Sequence, residues 1–313
     1  MNGTIISSRP ASISLLRIFA MITMGYLVLG NVIATLVITL LYDGNLVEAV
    51  TFPADHPEIR NVILLAQGLA SFVGLVLIPW YYLRVFEKKP LKIFFDKVPS
   101  GMWFAILSLT VIAFAVAISP VAQWNVNAEL PAWTGGLGGY LKDMEKQAEV
   151  LVKLLTSNMS PAYFSCVFIV VAIIPGIGEE LVFRGFVQTE LVRAFKNPHI
   201  GIWLAAAFFS AFHMQFFGFF PRLLIGAMLG YLYFWSGNLW IPVIGHFLNN
   251  GLQVIGLYLY QLNIHKVDME STESAPLAIV AVSVVATAGL LYYCKNNLPL
   301  LSKTTGDSTS QLQ

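Results

Sequence analysis

The chain has 313 residues, 57% of them hydrophobic and only 11% charged, whereas soluble domains carry roughly 25% charged residues. This composition excludes a water-soluble globular domain and a disordered chain. The 18 basic and 17 acidic residues nearly cancel, which excludes the basic surface that a nucleic-acid-binding protein needs. Two cysteines, Cys166 and Cys294, are too few for a disulfide framework or a cysteine-based zinc site. We therefore expect an all-α, multi-spanning membrane protein.

Seven stretches free of Asp, Glu, Lys and Arg have about the length of a membrane helix, which needs roughly 20 apolar residues. In chain order they are 18–42, 61–83, 98–128, 154–178, 197–221, 223–265 and 274–294. The sixth contains a Ser-Gly-Asn turn signal at 236–238 and is long enough for two helices. The sequence therefore predicts eight transmembrane helices. The first is too long to be the apolar core of a cleaved signal peptide, so we expect it to remain as an anchor.

Four regions follow from this pattern. They are an N-terminal three-helix membrane region at 1–125, an external loop at 126–160, a central membrane core at 161–256, and a last helix with a disordered tail at 257–313. Within the external loop, apolar residues recur at steps of three and four between charged ones. This spacing predicts an amphipathic helix lying at the membrane interface. Its apolar positions are Leu141, Met144, Ala148, Leu151 and Leu155.

Basic residues are unevenly distributed between the two sets of predicted loops. With the N-terminus inside, the inner loops hold Arg9, Arg17, Arg84, Lys88, Lys89, Lys92, Lys97, Arg193, Lys196, Lys295 and Lys303. The outer loops hold Arg60, Lys142, Lys146, Lys153, Arg222 and Lys266. Because cytoplasmic loops are enriched in Lys and Arg, we expect both termini to be cytoplasmic and residues 125–160 to face outward.

Three charged residues follow the fourth stretch in an apolar context, where charges are costly and are kept mainly for function. They are Glu179, Glu180 and Arg184. Glu180 and Arg184 are four residues apart on one helical face, which predicts a structural ion pair. Successive helical residues point about 100° apart, so Glu179 should point elsewhere and lack that partner.

Two of the five histidines, His213 and His246, fall within predicted spans, and Asn250 shares a helical face with His246. Counting residues from the predicted helix ends, at about 1.5 Å each, places Glu179, His213 and Asn250 in one slab of the bilayer, with His246 nearer its cytoplasmic side. For Asn250 alone, a hydrogen bond between helices is the simpler interpretation. For Glu179, His213 and His246 together, the pattern favours function over packing.

These side chains supply the parts needed to hydrolyse an amide. A carboxylate and a neutral imidazole can bind and deprotonate a water molecule, and a second imidazole with an amide can donate hydrogen bonds to an oxyanion. The sequence contains no Gly-x-Ser-x-Gly motif and no His-Glu-x-x-His zinc motif.

The three groups Glu179-Glu180-x-x-x-Arg184, Phe209-x-x-x-His213 and His246-x-x-x-Asn250 resemble the motifs of the CAAX-protease and bacteriocin-processing family of intramembrane endopeptidases. The resemblance covers roughly residues 161–256, and three motifs in order on separate spans are far more specific than one. It implies an eight-helix membrane peptidase whose site opens toward the cytoplasm. By matching position, it implies that Glu179 and His213 activate the water. It further implies that His246 and Asn250 form the oxyanion hole and that Glu180 and Arg184 support the site.

The sequence leaves the use of a metal open. Glu179, His213 and His246 could hold a zinc ion with one open position, and the same residues also suffice for a metal-free, glutamate-based site. We favour the metal-free alternative because His246 is well placed beside Asn250 as a hydrogen-bond donor.

The expected partners are the lipid bilayer and a peptide or protein substrate, with no nucleic acid, and the short loops suggest a bacterial inner membrane. Two other function classes compete with the peptidase. A transporter with a Glu/His proton relay predicts an inverted repeat with paired broken helices, but residues 1–125 contain no counterpart to the break at Pro175-Gly176. A non-catalytic maturation or immunity scaffold predicts loss of site residues, and all of them are present.

Overall fold

The computed structural model describes residues 6–42, 57–129, 135–265 and 273–303. Within these ranges the chain is helical and contains no strand. The helices are α1 Ala11–Leu41, α2 Ile59–Phe86, α3 Gly101–Ala117, α4 Ser119–Val126, α5 Gly136–Thr156, α6 Pro161–Phe195, α7 Pro198–Phe212, α8 Phe219–Ser236, α9 Trp240–Gln261 and α10 Leu277–Lys303. Residues 130–134 of the predicted external loop and residues 304–313 of the predicted disordered tail lie outside the described ranges.

Every predicted apolar stretch is helical, and the all-α, multi-spanning fold is confirmed. Among the described residues, α1, α2, α6, α8 and α10 are long and apolar enough to cross a membrane, and α3 with α4 forms a sixth span bent by 45°. The two remaining predicted spans are α7, which has 15 residues, and α9, whose 22 residues include one histidine, two asparagines and two glutamines. The predicted break at 236–238 is also confirmed, since Gly237 adopts a left-handed φ of 64°.

One predicted boundary is wrong. The stretch 197–221 does not form one helix, because α7 ends at Phe212 and Met214 takes a φ of 55°, which a continuing right-handed helix cannot accommodate. Helix α6 runs past the charge-free stretch 154–178 and ends at Phe195, near the end at Arg193 that the sequence predicted. Its charged residues Glu180 and Arg184 are buried inside the helix bundle.

One face of the molecule, here called the amino-terminal face, carries the segment before α1 together with the loops that follow α2, α6 and α8. Arg193 Nη1 donates to the backbone oxygen of Arg9 at 2.7 Å. Asn238 Nδ2 donates to the backbone oxygen of Lys97 at 2.9 Å. These contacts confirm the predicted grouping of loops, while the compartment that this face meets stays a prediction.

The opposite face, here called the α5 face, is crossed by the predicted amphipathic helix. Its apolar residues Leu154 and Leu155 are buried in a cluster with residues of α2, α6 and α9. Nearby, Gln261 Nε2 donates to the backbone oxygen of Met159 at 3.0 Å, which ties the end of α9 to the start of α6. The amphipathic helix thus packs across the ends of the helices that carry the polar motifs.

Candidate active site

Helix α6 changes its hydrogen-bonding pattern on both sides of the two glutamates. The segments Ile169–Ile173 and Leu181–Gln188 are π-helical, and the α-helical segment Ile174–Glu180 lies between them. Proline at the start of this middle segment lacks the N–H that an α-helix requires. Departures of this kind are frequent at functional sites, and here they set the directions in which Glu179 and Glu180 point.

Pro175 also explains the position of Asn250. In an α-helix the backbone nitrogen of residue 175 would donate to the carbonyl of Val171, and proline cannot do so. Asn250 Nδ2 donates to that carbonyl oxygen at 3.1 Å, and Asn249 donates to Asn250 Oδ1 at 3.0 Å. A carbonyl left without a partner is costly inside a membrane, so Asn250 stabilises the break in α6. This is the interhelical role that the sequence suggested for Asn250 taken alone.

The predicted pair of Glu180 and Arg184 is present and fully buried. Arg184 Nη1 donates to Glu180 Oε1 at 2.8 Å, with 1% and 0% of the two side chains exposed. His246 Nδ1 lies 2.7 Å from the same oxygen, and the Arg184 guanidinium stacks over the Phe209 ring at 4.5 Å. Because carboxylate oxygens only accept, His246 must donate from Nδ1, and Glu180 therefore fixes the orientation of this ring.

Glu179 lies between two imidazoles that come from different parts of the chain. Its Oε2 is 3.9 Å from His213 Nε2 and 3.8 Å from His246 Nε2. Both distances are too long for direct hydrogen bonds, and this oxygen is buried without a hydrogen-bond partner among the described residues. The ring of His246 therefore faces both glutamates, with Nδ1 bonded to Glu180 and Nε2 directed toward Glu179 at a longer distance.

His213 occupies the residue at which α7 ends, and a backbone contact fixes its ring. Its Nδ1 lies 2.9 Å from the carbonyl oxygen of Phe209. A carbonyl only accepts, so Nδ1 carries the proton and Nε2 of the neutral ring presents a lone pair toward Glu179. His213 and His246 thus differ in what holds them, since one is bound to a neutral carbonyl and the other to a carboxylate.

Helices α6 and α8 are joined by two hydrogen bonds that were not predicted from the sequence. Arg184 Nη2 donates to the carbonyl of Gly226 at 3.0 Å, and Gln188 Nε2 donates to the carbonyl of Gly230 at 3.0 Å. The two donors are four residues apart, as are the two glycines, so the contacts repeat along one seam. The Gly-x-x-x-Gly spacing in an apolar stretch is a known signal of close helix packing and could have predicted this seam.

The structure brings Glu179, Glu180, Arg184, His213 and His246 together and places Asn250 one helical turn beyond His246, on the Val171 carbonyl. Among the described residues, no group of three or more His, Cys, Asp or Glu side chains has the geometry of a metal site. Glu179, His213 and His246 have the chemistry of a zinc ligand set, and the choice between a metal-bound and a metal-free site stays a prediction.

Exposure of the site increases toward the α5 face. His213 is 28% exposed, against 13% for Glu179 and 5% for His246. On the other side, a core cluster that includes Phe183 and Tyr233 closes the site toward the amino-terminal face. The compartment toward which the site opens stays a prediction.

The polar cluster on α6, α7 and α9 lies within a segment that matches a known protein family. Residues 161–252 match the model of a family described as Rce1-like, type II CAAX prenyl endopeptidase Rce1-like. This segment is similar to the Rce1-like family. The match confirms the resemblance seen in the motifs.

The chain is also similar in part to a relative without an assigned function. The chain is 36% identical over 74 residues to the uncharacterized protein YpbD of Bacillus subtilis (strain 168). The alignment covers 22% of this chain and 34% of YpbD, so the chain spans about a third of that relative's length. No solved structure matches the chain. The Rce1-like segment holds all the predicted site residues, whereas α1 to α5 lie outside it.

Proposed function

We propose that the protein is an intramembrane endopeptidase that hydrolyses peptide bonds of membrane-associated peptides or proteins. The observation that carries this proposal is the position of Glu179 Oε2 between two imidazole nitrogens at 3.9 and 3.8 Å. A gap of this length between polar groups suits a bridging water molecule. A buried carboxylate oxygen without a partner is the acceptor that such a water needs.

In this mechanism Glu179 and His213 act on the water together. Both present acceptors, so the water donates one hydrogen to Glu179 Oε2 and the other to His213 Nε2, and its oxygen is directed at the scissile carbonyl carbon. Attack forms the new C–O bond as the proton moves to Glu179. A positioned general base of this kind accelerates a reaction by roughly 100- to 10,000-fold.

His246 and Asn250 donate hydrogen bonds to the oxyanion that develops on the scissile carbonyl oxygen. The charges of Glu179, Glu180 and Arg184 sum to −1, and a proton on His246 neutralises the group while Glu180 holds the ring from behind. Protonated His246 donates from Nε2 to the oxyanion, and Asn250 offers the N–H that its bond to Val171 leaves free. The proton on Glu179 then passes to the leaving nitrogen as the C–N bond breaks.

The family description supports substrates of the CAAX type, in which a lipid-modified cysteine lies near the carboxyl end of a protein. A farnesyl chain would hold such a substrate in the bilayer beside a site that lies at membrane depth. We place the protein in a bacterial cell membrane, with the basic amino-terminal face toward the cytoplasm.

The test uses the purified protein in liposomes and a pool of fluorescent peptides. In each peptide a farnesylated cysteine precedes three randomised residues, and the mixture is here called the farnesylated pool. We expect shortened peptides that carry one oxygen-18 in the new carboxyl group when the reaction is run in oxygen-18 water. The Glu179→Gln protein should yield none. Quantitative recovery of the intact pool and of an unfarnesylated pool from the wild-type protein would reject the peptidase.

The same assay decides on the metal. If Glu179 and the two histidines act without a metal, elemental analysis should find no zinc in the purified protein. Treatment with a chelator before the assay should then leave activity unchanged. One bound zinc that is lost together with activity would keep the peptidase and replace the metal-free mechanism.

A further inference from the structure

A cavity of about 320 Å³ lies between α1 and α2, outside the Rce1-like segment. Its volume is at the lower end of the range for ligand pockets, roughly 300–1,000 Å³. Small residues on both helices, Gly30, Ala34, Ala66 and Ala70, leave the space, and Leu151 of α5 closes one end.

Four polar side chains line this cavity at membrane depth. They are Tyr26 and Asn31 on α1 and Gln67 and Ser71 on α2. Asn31 is exposed and Ser71 is buried, so the cavity runs from the lipid-facing surface to the interior. Polar residues inside a membrane are costly and often mark substrate pathways.

Ser71 joins the two helices through the Tyr26 hydroxyl, but the two amide side chains, Asn31 and Gln67, show no such bond among the described residues. Asn31 Nδ2 donates to the carbonyl of Leu27 in its own helix at 2.6 Å. The Oε1 atom of Gln67 is buried without a partner among the described residues. Interhelical hydrogen bonding, the usual structural reason for membrane Asn and Gln, therefore does not account for them.

The residues at the inner end of the cavity lie near the helix that carries Glu179. Helix α2 approaches α6 so closely that a Cβ on Gly178, beside Glu179, would lie 2.7 Å from Leu75 Cβ. Ser71 is one turn before Leu75 on the same face and interacts with the Tyr26 hydroxyl. Tyr26 also interacts electrostatically with Glu179.

A peptide that is cleaved inside a membrane creates a specific problem for its own backbone. Its scissile carbonyl must leave the helix to be attacked, which frees N–H and C=O groups on neighbouring residues. Each unsatisfied group costs several kcal/mol in hydrocarbon. Side-chain amides relieve this cost best, because Asn and Gln each carry both a donor and an acceptor.

We propose that this cavity is a substrate subsite that binds the unwound backbone of a peptide segment entering from the lipid, with Gln67 and Asn31 bonding its amide groups and Tyr26 guiding it to Glu179. This inference rests on the proposed peptidase function. The bonds go to the backbone and the walls are small and apolar, so the subsite takes segments with small or apolar side chains and excludes charged ones.

The kinetic test replaces each amide by an apolar residue of similar size. Gln67→Leu and Asn31→Leu should each raise KM for the farnesylated pool by roughly 3- to 10-fold, the effect of one lost hydrogen bond, and leave kcat within about twofold. Asn297→Leu is the matched control, because Asn297 on α10 also donates to the carbonyl four residues earlier, at 2.8 Å. Unchanged KM in both cavity variants, or an equal rise in the control, would overturn the subsite.

A second test does not depend on cleavage. A photoreactive benzoylphenylalanine is placed at Ala34 or at Leu151, in the Glu179→Gln protein, and irradiated with a biotinylated form of the farnesylated pool. Covalent capture at either position, suppressed by unlabelled peptide, supports the subsite even if the wild-type protein cleaves nothing. Absence of capture at both positions overturns the subsite and leaves the peptidase, which the cleavage assay tests separately, standing.

Discussion

Glu179 and Glu180 are adjacent in the chain and have different surroundings. Glu180 is bound by Arg184 and His246 at 2.8 and 2.7 Å. The Oε2 atom of Glu179 faces two imidazole nitrogens, at distances too long for direct hydrogen bonds. This difference follows from the helical geometry, which turns one carboxylate toward Arg184 and leaves the other for chemistry.

The first prediction separates the structural carboxylate from the chemical one. Arg184→Ala leaves the charge of Glu180 buried with one partner fewer, and breaking a buried pair costs roughly 3–5 kcal/mol. We expect this variant and Glu180→Gln to melt at lower temperature in detergent and to give less folded protein, whereas Glu179→Gln should fold like the wild type. Equal melting temperatures for all three variants would remove the structural role of the pair.

The second prediction concerns the carbonyl that Pro175 leaves free. Asn250→Ala should destabilise the protein by about 1–3 kcal/mol, because the Val171 carbonyl then has no donor in the membrane. Adding Pro175→Ala supplies a backbone N–H at position 175 and should recover part of that loss. Melting temperatures of the two single variants and the double variant measure the coupling.

A control variant and the double variant test the link between Pro175 and Asn250 further. Gln253→Ala serves as a control, since Gln253 is exposed and donates only to the Asn249 carbonyl of its own helix, and it should leave stability unchanged. Losses that simply add in the double variant would contradict the link between Pro175 and Asn250.

At the scale of elements, α6 carries the charged residues of the site within one continuous membrane helix. It runs through Glu179, Glu180, Arg184 and Glu190, all of them buried or nearly so. Glu180, Arg184 and Glu190 each bond a partner on another helix or one turn away. Helix α6 is the central helix of the site, and its seam with α8 holds it in place.

The third prediction tests that seam. Gly230→Ala would place a Cβ 2.7 Å from Gln188 Oε1 and 2.9 Å from Ile202 Cγ2, and overpacking of this kind costs roughly 1–3 kcal/mol. Gly289→Ala on α10 meets nothing within 4 Å and should be neutral or stabilising, since alanine favours helix. Thermal unfolding in detergent compares the two, and a Gly230→Ala protein as stable as the Gly289→Ala protein would contradict the seam.

At the scale of the whole molecule, the features predicted from sequence were those that depend on local periodicity. The apolar stretches, the turn at 236–238 and the amphipathic helix follow from composition and spacing alone. The end of α7 at Phe212 could not be predicted, because no Gly or Pro marks residues 213–217. The approach of α1 and α2 to Glu179 depends on packing between distant segments, which has no signature in either segment alone.

The fourth prediction decides which face is cytoplasmic. Single cysteines replace Ser100, before α3 on the amino-terminal face, or Ser157, after α5 on the opposite face, in a protein without Cys166 and Cys294. The basic residues on the amino-terminal face predict that an impermeant thiol reagent labels only the Ser157→Cys protein in intact cells. Labelling of only the Ser100→Cys protein would reverse the orientation.

The central claim, that Glu179 activates the water for peptide hydrolysis, is tested most directly by one pair of rates. Cleavage of the farnesylated pool is measured per folded molecule for Glu179→Gln and for Glu190→Gln, whose buried carboxylate lies on the same helix about 16 Å away along the axis. We predict a loss of roughly 1,000-fold or more for Glu179→Gln and a rate near that of the wild type for Glu190→Gln. Wild-type activity in the Glu179→Gln protein would contradict the account.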